Sequence, residues 1–171
     1  MSAGAHGEMS EQEAQVFEDK LKEFVKNNGL AAEHLVFRRS VHTVQEAAKA
    51  VGATSRDFVK SVVMIAGGAV AVAVVLGDDR ASPRLVGSTL GSPNVRAATA
   101  REVLRHTGYP AGGVPPFGYA AEVLVDPRVL TKASLFCGGG SPRALLKLTP
   151  DELLRASGGR VAQVGEVSSK T

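Results

Sequence analysis

Hydrophobic positions near the start of the chain repeat at helical spacing. They fall on one face of a helix, with polar residues between them: Phe17, Leu21, Phe24 and Val25. Ser10 and Glu13 have the Ser-x-x-Glu spacing of a capping box, and Gly29 is a typical C-terminal cap. The pattern predicts a helix over residues 11–28.

The middle of the chain carries two apolar runs, Val59–Ala66 and Ala69–Leu76, separated by Gly67 and Gly68. A glycine pair between two β-branched runs is typical of a two-residue hairpin. Because both runs are almost continuously apolar, rather than alternating, we expect strands that are covered on both faces.

The remaining segments alternate between helical and strand patterns. Helices are predicted after Thr43, over Pro83–Leu90, after Thr99 and after Thr149, and strands over residues 35–38, 94–97, 121–126, 134–137, 144–148 and 160–164. This mixture predicts one α/β (α+β) domain. We expect a disordered lead over residues 1–10, the domain over 11–164 and a polar tail over 165–171.

Composition narrows the class of protein. The chain has 171 residues, of which 44% are hydrophobic and 22% charged, so wholesale disorder and coiled-coil architectures are excluded. The longest apolar run, Ala69–Leu76, is too short to span a bilayer, and no secretory signal precedes it. We therefore expect a cytoplasmic protein that does not contact a membrane.

Charge is distributed unevenly. Residues 1–37 hold three Lys/Arg and seven Asp/Glu, which gives a net charge of −4. Residues 38–171 hold 17 Lys/Arg and 10 Asp/Glu, which gives a net charge of +7. A basic, arginine-rich body suits a polyanion such as nucleic acid, although a solvated surface produces the same pattern.

Several kinds of chemistry are missing from the sequence. The single cysteine, Cys137, excludes an internal disulfide, and the four histidines lack metal-ligand spacing, so no metal and no cofactor is expected. Cys137 lies in the apolar stretch "SLFC", which favours a buried small hydrophobe. The alternative is a nucleophile approached in the fold by His42 or His106.

Three features could carry function, and each has a structural alternative. Lys60 opens an apolar strand and is either an edge charge or a cation beside a pocket. Gly112–Gly118, "GGVPPFG", is either a stiff turn or a preorganised loop that presents its backbone to a substrate. Gly138–Gly140 with nearby Arg143 is either a bulge or an anion-binding nest.

These features follow one another in a characteristic order. "HTVQEAAKAVG" (42–52), "FVKSVVM" (58–64), "LGDDR" (76–80), "TGYPAGGVPPFG" (107–118), "GGG" (138–140) and "LTPDELLRASGGRVAQV" (148–164) resemble the YbaK/prolyl-tRNA synthetase-associated editing domain family in its free-standing form. The resemblance covers about residues 33–164. It implies a mixed, barrel-like sheet surrounded by helices, and metal-independent hydrolysis of the ester of a mischarged tRNA, usually a prolyl tRNA carrying a wrong small amino acid.

The resemblance also implies a set of site residues. Catalysis would involve Lys60, Gly112 and Pro116, and substrate binding would involve His42, Thr43, Gly113, Phe117, Gly118, Gly138, Gly139 and Gly140. Tyr119 is a further candidate for base stacking, or a half-buried strand residue. The implied partners are aminoacylated tRNA and a synthetase, with the protein acting as a monomer or homodimer.

Two departures from the family pattern concern the amino-acid pocket. Pro115 occupies the place where members often have serine, and Leu145 the place where they often have an acidic residue. These changes affect the identity of the substrate more than the class of reaction. Two other functions are compatible with the sequence: a module that binds aminoacyl-tRNA or a small aminoacyl ligand without cleaving it, and a hydrolase that uses Cys137.

Overall fold

The computed structural model describes residues 9–168, and its helices begin where the capping residues predict. They are α1 (Glu11–Asn27), α2 (Val44–Val51), α3 (Pro83–Leu90), α4 (Ala100–Thr107) and α5 (Pro150–Ser157), with 3-10 turns at Ser55–Asp57 and Pro127–Thr131. The side chain of the N-cap residue accepts a backbone N–H of the first turn in every one of the five helices. Glycines in the left-handed conformation end the last four.

The largest sheet has five strands in the order β5-β2-β3-β6-β9. Their bounds are β2 (Val59–Ala66), β3 (Ala69–Leu76), β5 (Val95–Ala97), β6 (Glu122–Val125) and β9 (Arg160–Val161). The predicted hairpin is confirmed, because β2 and β3 pair antiparallel along their full length. β3 and β6 pair in parallel, so the sheet is mixed.

Two smaller sheets complete the described structure. β1 (Ala32–Val36), β8 (Ala144–Leu148) and β7 (Leu135–Gly138) form one in the order β1-β8-β7, and β10 (Gly165–Val167) pairs with β4 (Asp79–Ala81) in the other. The mixed α/β class is therefore confirmed. The single barrel-like sheet is not: the strands of residues 9–168 form three sheets, and the largest is open, with β5 and β9 at its edges.

Several boundaries differ from the prediction, the largest differences being at β1, β9 and β10. The strand expected at 35–38 is at Ala32–Val36, because its register is set by pairing with β8. The strand expected at 160–164 ends at Val161, and part of the expected polar tail is β10. The expected lead falls mainly on residues 1–8, outside the described residues, although Ser10 caps α1. The domain limits 11–164 remain a prediction.

The main core lies between the large sheet, the three-stranded sheet and α1. β3 is buried along most of its length, as its continuous apolar sequence predicts, and Leu21 anchors α1 with no exposed surface. The ring of Phe24 stacks on Phe117 at 5.5 Å between centroids. Helix α1 is thus packed directly against the loop that precedes β6.

Candidate functional site

A cleft opens where one edge of β2 lacks a strand partner. β2 is paired to β5 at Met64–Ala66 and meets β7 through a single bridge between Phe58 and Phe136. Between these two points, the cleft of about 220 Å³ is bordered by α2, β2, the loop before β6, β7 and β8. Five of the predicted site residues line it: His42, Thr43, Lys60, Gly112 and Gly138.

Lys60 is the cation of this cleft, and its ammonium is fixed by hydrogen bonding. Nζ donates to the carbonyl oxygen of Asp79 at 2.6 Å. The carboxylate of Asp79 is buried and accepts from Arg128 at 2.8 Å, so the acceptor is itself held in place. Burial lowers the pKa of Lys60 below 10.5, and the carboxylates of Asp79 and Asp78 oppose this shift.

The loop over residues 110–118 passes so close to its neighbours that glycine is required. A Cβ on Gly112 would lie 2.9 Å from Cβ of His42, and Gly112 has φ +89°. A Cβ on Gly113 would lie 2.7 Å from the backbone of Ser141. The loop is also tied down by Tyr119, whose hydroxyl donates to the carbonyl of Pro115 at 2.6 Å. The glycines therefore build the cleft wall by close backbone approach.

For the glycine segment over residues 138–140, the sequence leaves a bulge and an anion-binding nest open, and the hydrogen bonds favour a structural role. The amide of Gly139 donates to Ala144 at 3.1 Å, and that of Gly140 donates to the carbonyl of Gly113 at 2.8 Å. These two donors are used inside the protein and are not directed at a ligand. A Cβ on Gly138 would collide with the carbonyl of Val114. The segment is a packing surface for the loop.

Arg143, which the sequence places near this segment, forms an ion pair within the protein. Its Nε and Nη2 donate to the carboxylate of Glu18 at 2.7 and 3.0 Å. The hydroxyl of Ser141 donates to the same carboxylate at 2.6 Å. Burial raises the pKa of Glu18, but the hydrogen bonds from Arg143 and Ser141 outweigh it and the pKa is lowered below 4.5. The Glu18 carboxylate therefore connects helix α1 to the residues that follow the glycine segment.

The other predicted site residues do not line the cleft. They are Gly113, Pro116, Phe117, Gly118, Gly139 and Gly140. Phe117 belongs to the main core, where it is 2% exposed. Tyr119 packs edge to face on Tyr109, and its hydroxyl is bonded to Pro115, so it is a structural residue and not a free stacking platform. Of the two departures, Leu145 lines the cleft and makes its wall more apolar.

Cys137 lines the cleft but is 1% exposed. Burial raises the pKa of the Cys137 thiol far above its usual value, so the thiolate needed for nucleophilic attack is disfavoured. The nearby ring of His42 has its Nδ1 in a hydrogen bond with Ser40. This environment is that of a buried structural cysteine.

Ser61 is a cleft residue that the sequence analysis missed. It follows Lys60 on β2, and its buried hydroxyl has no hydrogen-bond partner within residues 9–168. The signal was present in the sequence, because Ser61 occupies the same strand face as Val59 and Val63, where an apolar residue is expected. A polar residue at such a position needs an explanation.

Residues 9–168 offer neither a cluster of metal ligands nor a membrane-spanning helix. No three His, Cys, Asp or Glu residues in that range are grouped so that they could hold a metal ion. No helix in the same range is both long and apolar enough to cross a membrane.

Comparisons with known proteins agree with the geometry. The family model described as the aminoacyl-tRNA editing domain matches residues 38–156. The chain is 33% identical over 128 residues to the uncharacterized protein YwhH of Bacillus subtilis, covering 73% of this chain and 81% of YwhH. It is 30% identical over 129 residues to the proline–tRNA ligase of Trichlorobacter lovleyi, covering 74% of this chain and 21% of the ligase.

Solved structures give the same result. A candidate trans-editing enzyme for prolyl tRNA synthetase superimposes with a TM-score of 0.82 at 31% identity, covering 93% of this chain and 99% of that one. The hypothetical protein APE2540 superimposes with a TM-score of 0.80 at 37% identity, and the match covers 86% of this chain and 99% of the APE2540 chain.

Proposed function

The chain belongs to the aminoacyl-tRNA editing domain family, and from this membership and the cleft we propose that it is a trans-acting deacylase. It hydrolyses the ester between a wrongly attached small amino acid and the terminal adenosine of a tRNA, and the tRNA we propose is a prolyl tRNA. The observation that carries the proposal is the cleft beside β2, which both Lys60 and Gly112 line.

Lys60 supplies the positive charge in this mechanism. Its ammonium is held at the Asp79 carbonyl and has further N–H donors for the terminal phosphate of the tRNA or for the negative charge that develops on the ester. Because the cleft is partly shielded from water, this attraction is stronger than it would be at the surface.

The loop before β6 orients the ester. Its packing against His42 and Ser141 fixes the backbone of the loop. Within residues 9–168, the amides of Gly112 and Val114 donate no hydrogen bond to another protein group. Both residues line the cleft, so their amides can bind the ester carbonyl and position a water molecule. The 2′-hydroxyl of the adenosine assists the attack. Catalysis then depends on positioning and electrostatics and requires neither a metal nor a nucleophilic side chain.

The size and lining of the cleft support a small aminoacyl group. A volume of about 220 Å³ with mostly apolar walls suits a side chain of a few atoms. The basic body of the protein suits the tRNA, and the likeness to proline–tRNA ligases supports a prolyl tRNA, with that synthetase as a further partner.

The test is hydrolysis of alanyl-, cysteinyl- and seryl-tRNA(Pro), compared with correctly charged prolyl-tRNA. We expect loss of at least one wrong ester, and strongly reduced loss with Lys60→Met, which keeps the aliphatic stem but removes the charge. Arg84→Met is the matched control, because Arg84 is an exposed cation on α3, away from the cleft. Equal hydrolysis by wild type and Lys60→Met would refute the assignment of Lys60.

Turnover distinguishes the proposed deacylase from a module that binds aminoacyl-tRNA without cleaving it. A binder shifts the charged tRNA in a gel but leaves its ester intact at high protein concentration. That result would refute the deacylase proposal but would support aminoacyl-tRNA as the ligand.

A further inference from the structure

The hydroxyl of Ser61 is in an unusual position. Side chains alternate along β2, so Ser61 shares a face with Val59 and Val63, both of which belong to the main core. The hydroxyl is buried at the cleft wall and has no partner among residues 9–168. A buried hydroxyl without a hydrogen bond destabilises a protein, and valine or alanine at this position would avoid the cost.

The surroundings of Ser61 restrict the group that could satisfy it. The cleft walls that belong to the same core cluster as Val59 and Val63 are apolar and include Val103, Val114 and Cys137. A carboxylate or an ammonium group would remain largely unpaired there, which is costly. The ammonium of Lys60, on the neighbouring residue, also repels a second cation. A small neutral group that both donates and accepts one hydrogen bond fits these conditions, and a hydroxyl is such a group.

We propose that Ser61 is a specificity-determining residue that pairs with the side-chain hydroxyl of the aminoacyl group, so that the cleft selects seryl or threonyl esters over alanyl esters. This inference rests on the proposed function of the cleft. The discrimination has a physical basis: with an alanyl group the buried Ser61 hydroxyl stays without a partner, whereas a seryl group supplies one. Sites built to pair with a substrate hydroxyl discriminate strongly against analogues that lack it.

The experiment measures kcat/KM of wild type and Ser61→Ala on seryl-, threonyl- and alanyl-esters of one tRNA. We expect wild type to prefer the hydroxylated esters by about tenfold or more, the size of one well-placed hydrogen bond. Ser61→Ala should lose this preference by lowering the seryl rate and not the alanyl rate. Ser61→Thr keeps the hydroxyl and should keep the preference. Ser88→Ala, an exposed serine on α3, is the control.

Two results would overturn the inference. An equal loss on all esters would mean that Ser61 contacts a part common to them, such as the α-amino group. An unchanged seryl-to-alanyl ratio in Ser61→Ala would mean that it makes no contact with the side chain. Either result leaves the deacylase function intact.

A binding measurement covers the case in which no ester is cleaved. Seryl- and alanyl-adenosine analogues with a stable amide in place of the ester are compared by calorimetry on wild type and Ser61→Ala. Preference of wild type for the seryl analogue, lost in Ser61→Ala, supports the role of Ser61 although the deacylase function has failed. Equal binding of both analogues by wild type overturns it.

Discussion

The ion pair between α1 and the glycine segment provides a quantitative test of how the cleft is held. Glu18→Gln keeps the size of the side chain and one acceptor oxygen but removes the negative charge. In the wild type, the carboxylate is 2% exposed and accepts three hydrogen bonds, two from Arg143 and one from Ser141. The substitution leaves Arg143 beside a neutral partner and replaces one acceptor with an NH₂ group.

The expected cost can be worked from this geometry. Removing one partner of a fully buried ion pair costs about 3–5 kcal/mol. The side chain of Arg143 is 22% exposed, so water solvates it in part, and the retained amide oxygen keeps at least one hydrogen bond. We therefore expect a loss of about 2 kcal/mol in the free energy of unfolding. For a chain of this length, that corresponds to a decrease in Tm of about 4–8 °C.

The assay is urea unfolding followed by far-UV circular dichroism, since the chain contains no tryptophan. Glu122→Gln is the matched control, because its ion pair with Arg160 is long, at 3.7 Å, and both side chains are 55% exposed. A pair of this kind contributes less than about 1 kcal/mol. Because the pKa of Glu18 is lowered in the folded state, its contribution is complete above pH 4.5 and is lost as the pH falls through the lowered pKa. The difference between wild type and Glu18→Gln should therefore shrink in acid.

A result in which Glu18→Gln and Glu122→Gln unfold at the same urea concentration would refute this reasoning. So would a difference that stays constant from pH 7 to pH 3. A double-mutant cycle with Arg143→Gln provides a second criterion, since residues in one ion pair should show a coupling energy above about 0.5 kcal/mol.

Three further predictions concern the cleft. Deacylation by the wild type should decline as the pH rises through the pKa of Lys60, which lies below 10.5, when the rate is corrected for spontaneous loss of the ester. Lys60→Arg should remove this alkaline decline, because a guanidinium group stays charged. Cys137→Ala should keep deacylation within about twofold of wild type, and iodoacetamide should not label the folded protein, as mass spectrometry would show. Gly138→Ala should lower the free energy of unfolding by about 1–3 kcal/mol through collision with the Val114 carbonyl, measured by urea titration.

The local elements could be predicted from the sequence because their signals lie within a few residues of each other. The boundaries of α1 to α5 follow capping side chains and terminal glycines, which act on their own turn. The β2–β3 hairpin follows from one glycine pair between two apolar runs. The family resemblance extended this to Lys60 and Gly112, which the fold does bring to one cleft.

Features that the local sequence left open or missed are those that distant segments decide. Glycines over residues 138–140 have the sequence of an anion nest, but the Gly140 amide is used by Gly113, 27 positions earlier. Arg143 is neutralised by Glu18, which is 125 positions away. The strand β10 forms because β4 offers it an edge. None of these partners can be identified from the residues next to them.

Lys60 and Ser61 show how one short piece of strand can serve two purposes. Adjacent side chains leave a strand on opposite faces, so the Lys60 ammonium reaches the Asp79 carbonyl while the Ser61 hydroxyl shares the face of Val59 and Val63. Both residues line the cleft, beside the stretch of β2 that, within residues 9–168, has no strand partner between the β5 pairing and the bridge at Phe58. Under the proposed function, the positive charge and the proposed specificity residue therefore lie on opposite faces of β2. A change at position 61 is then expected to alter which amino acid is recognised without moving the lysine.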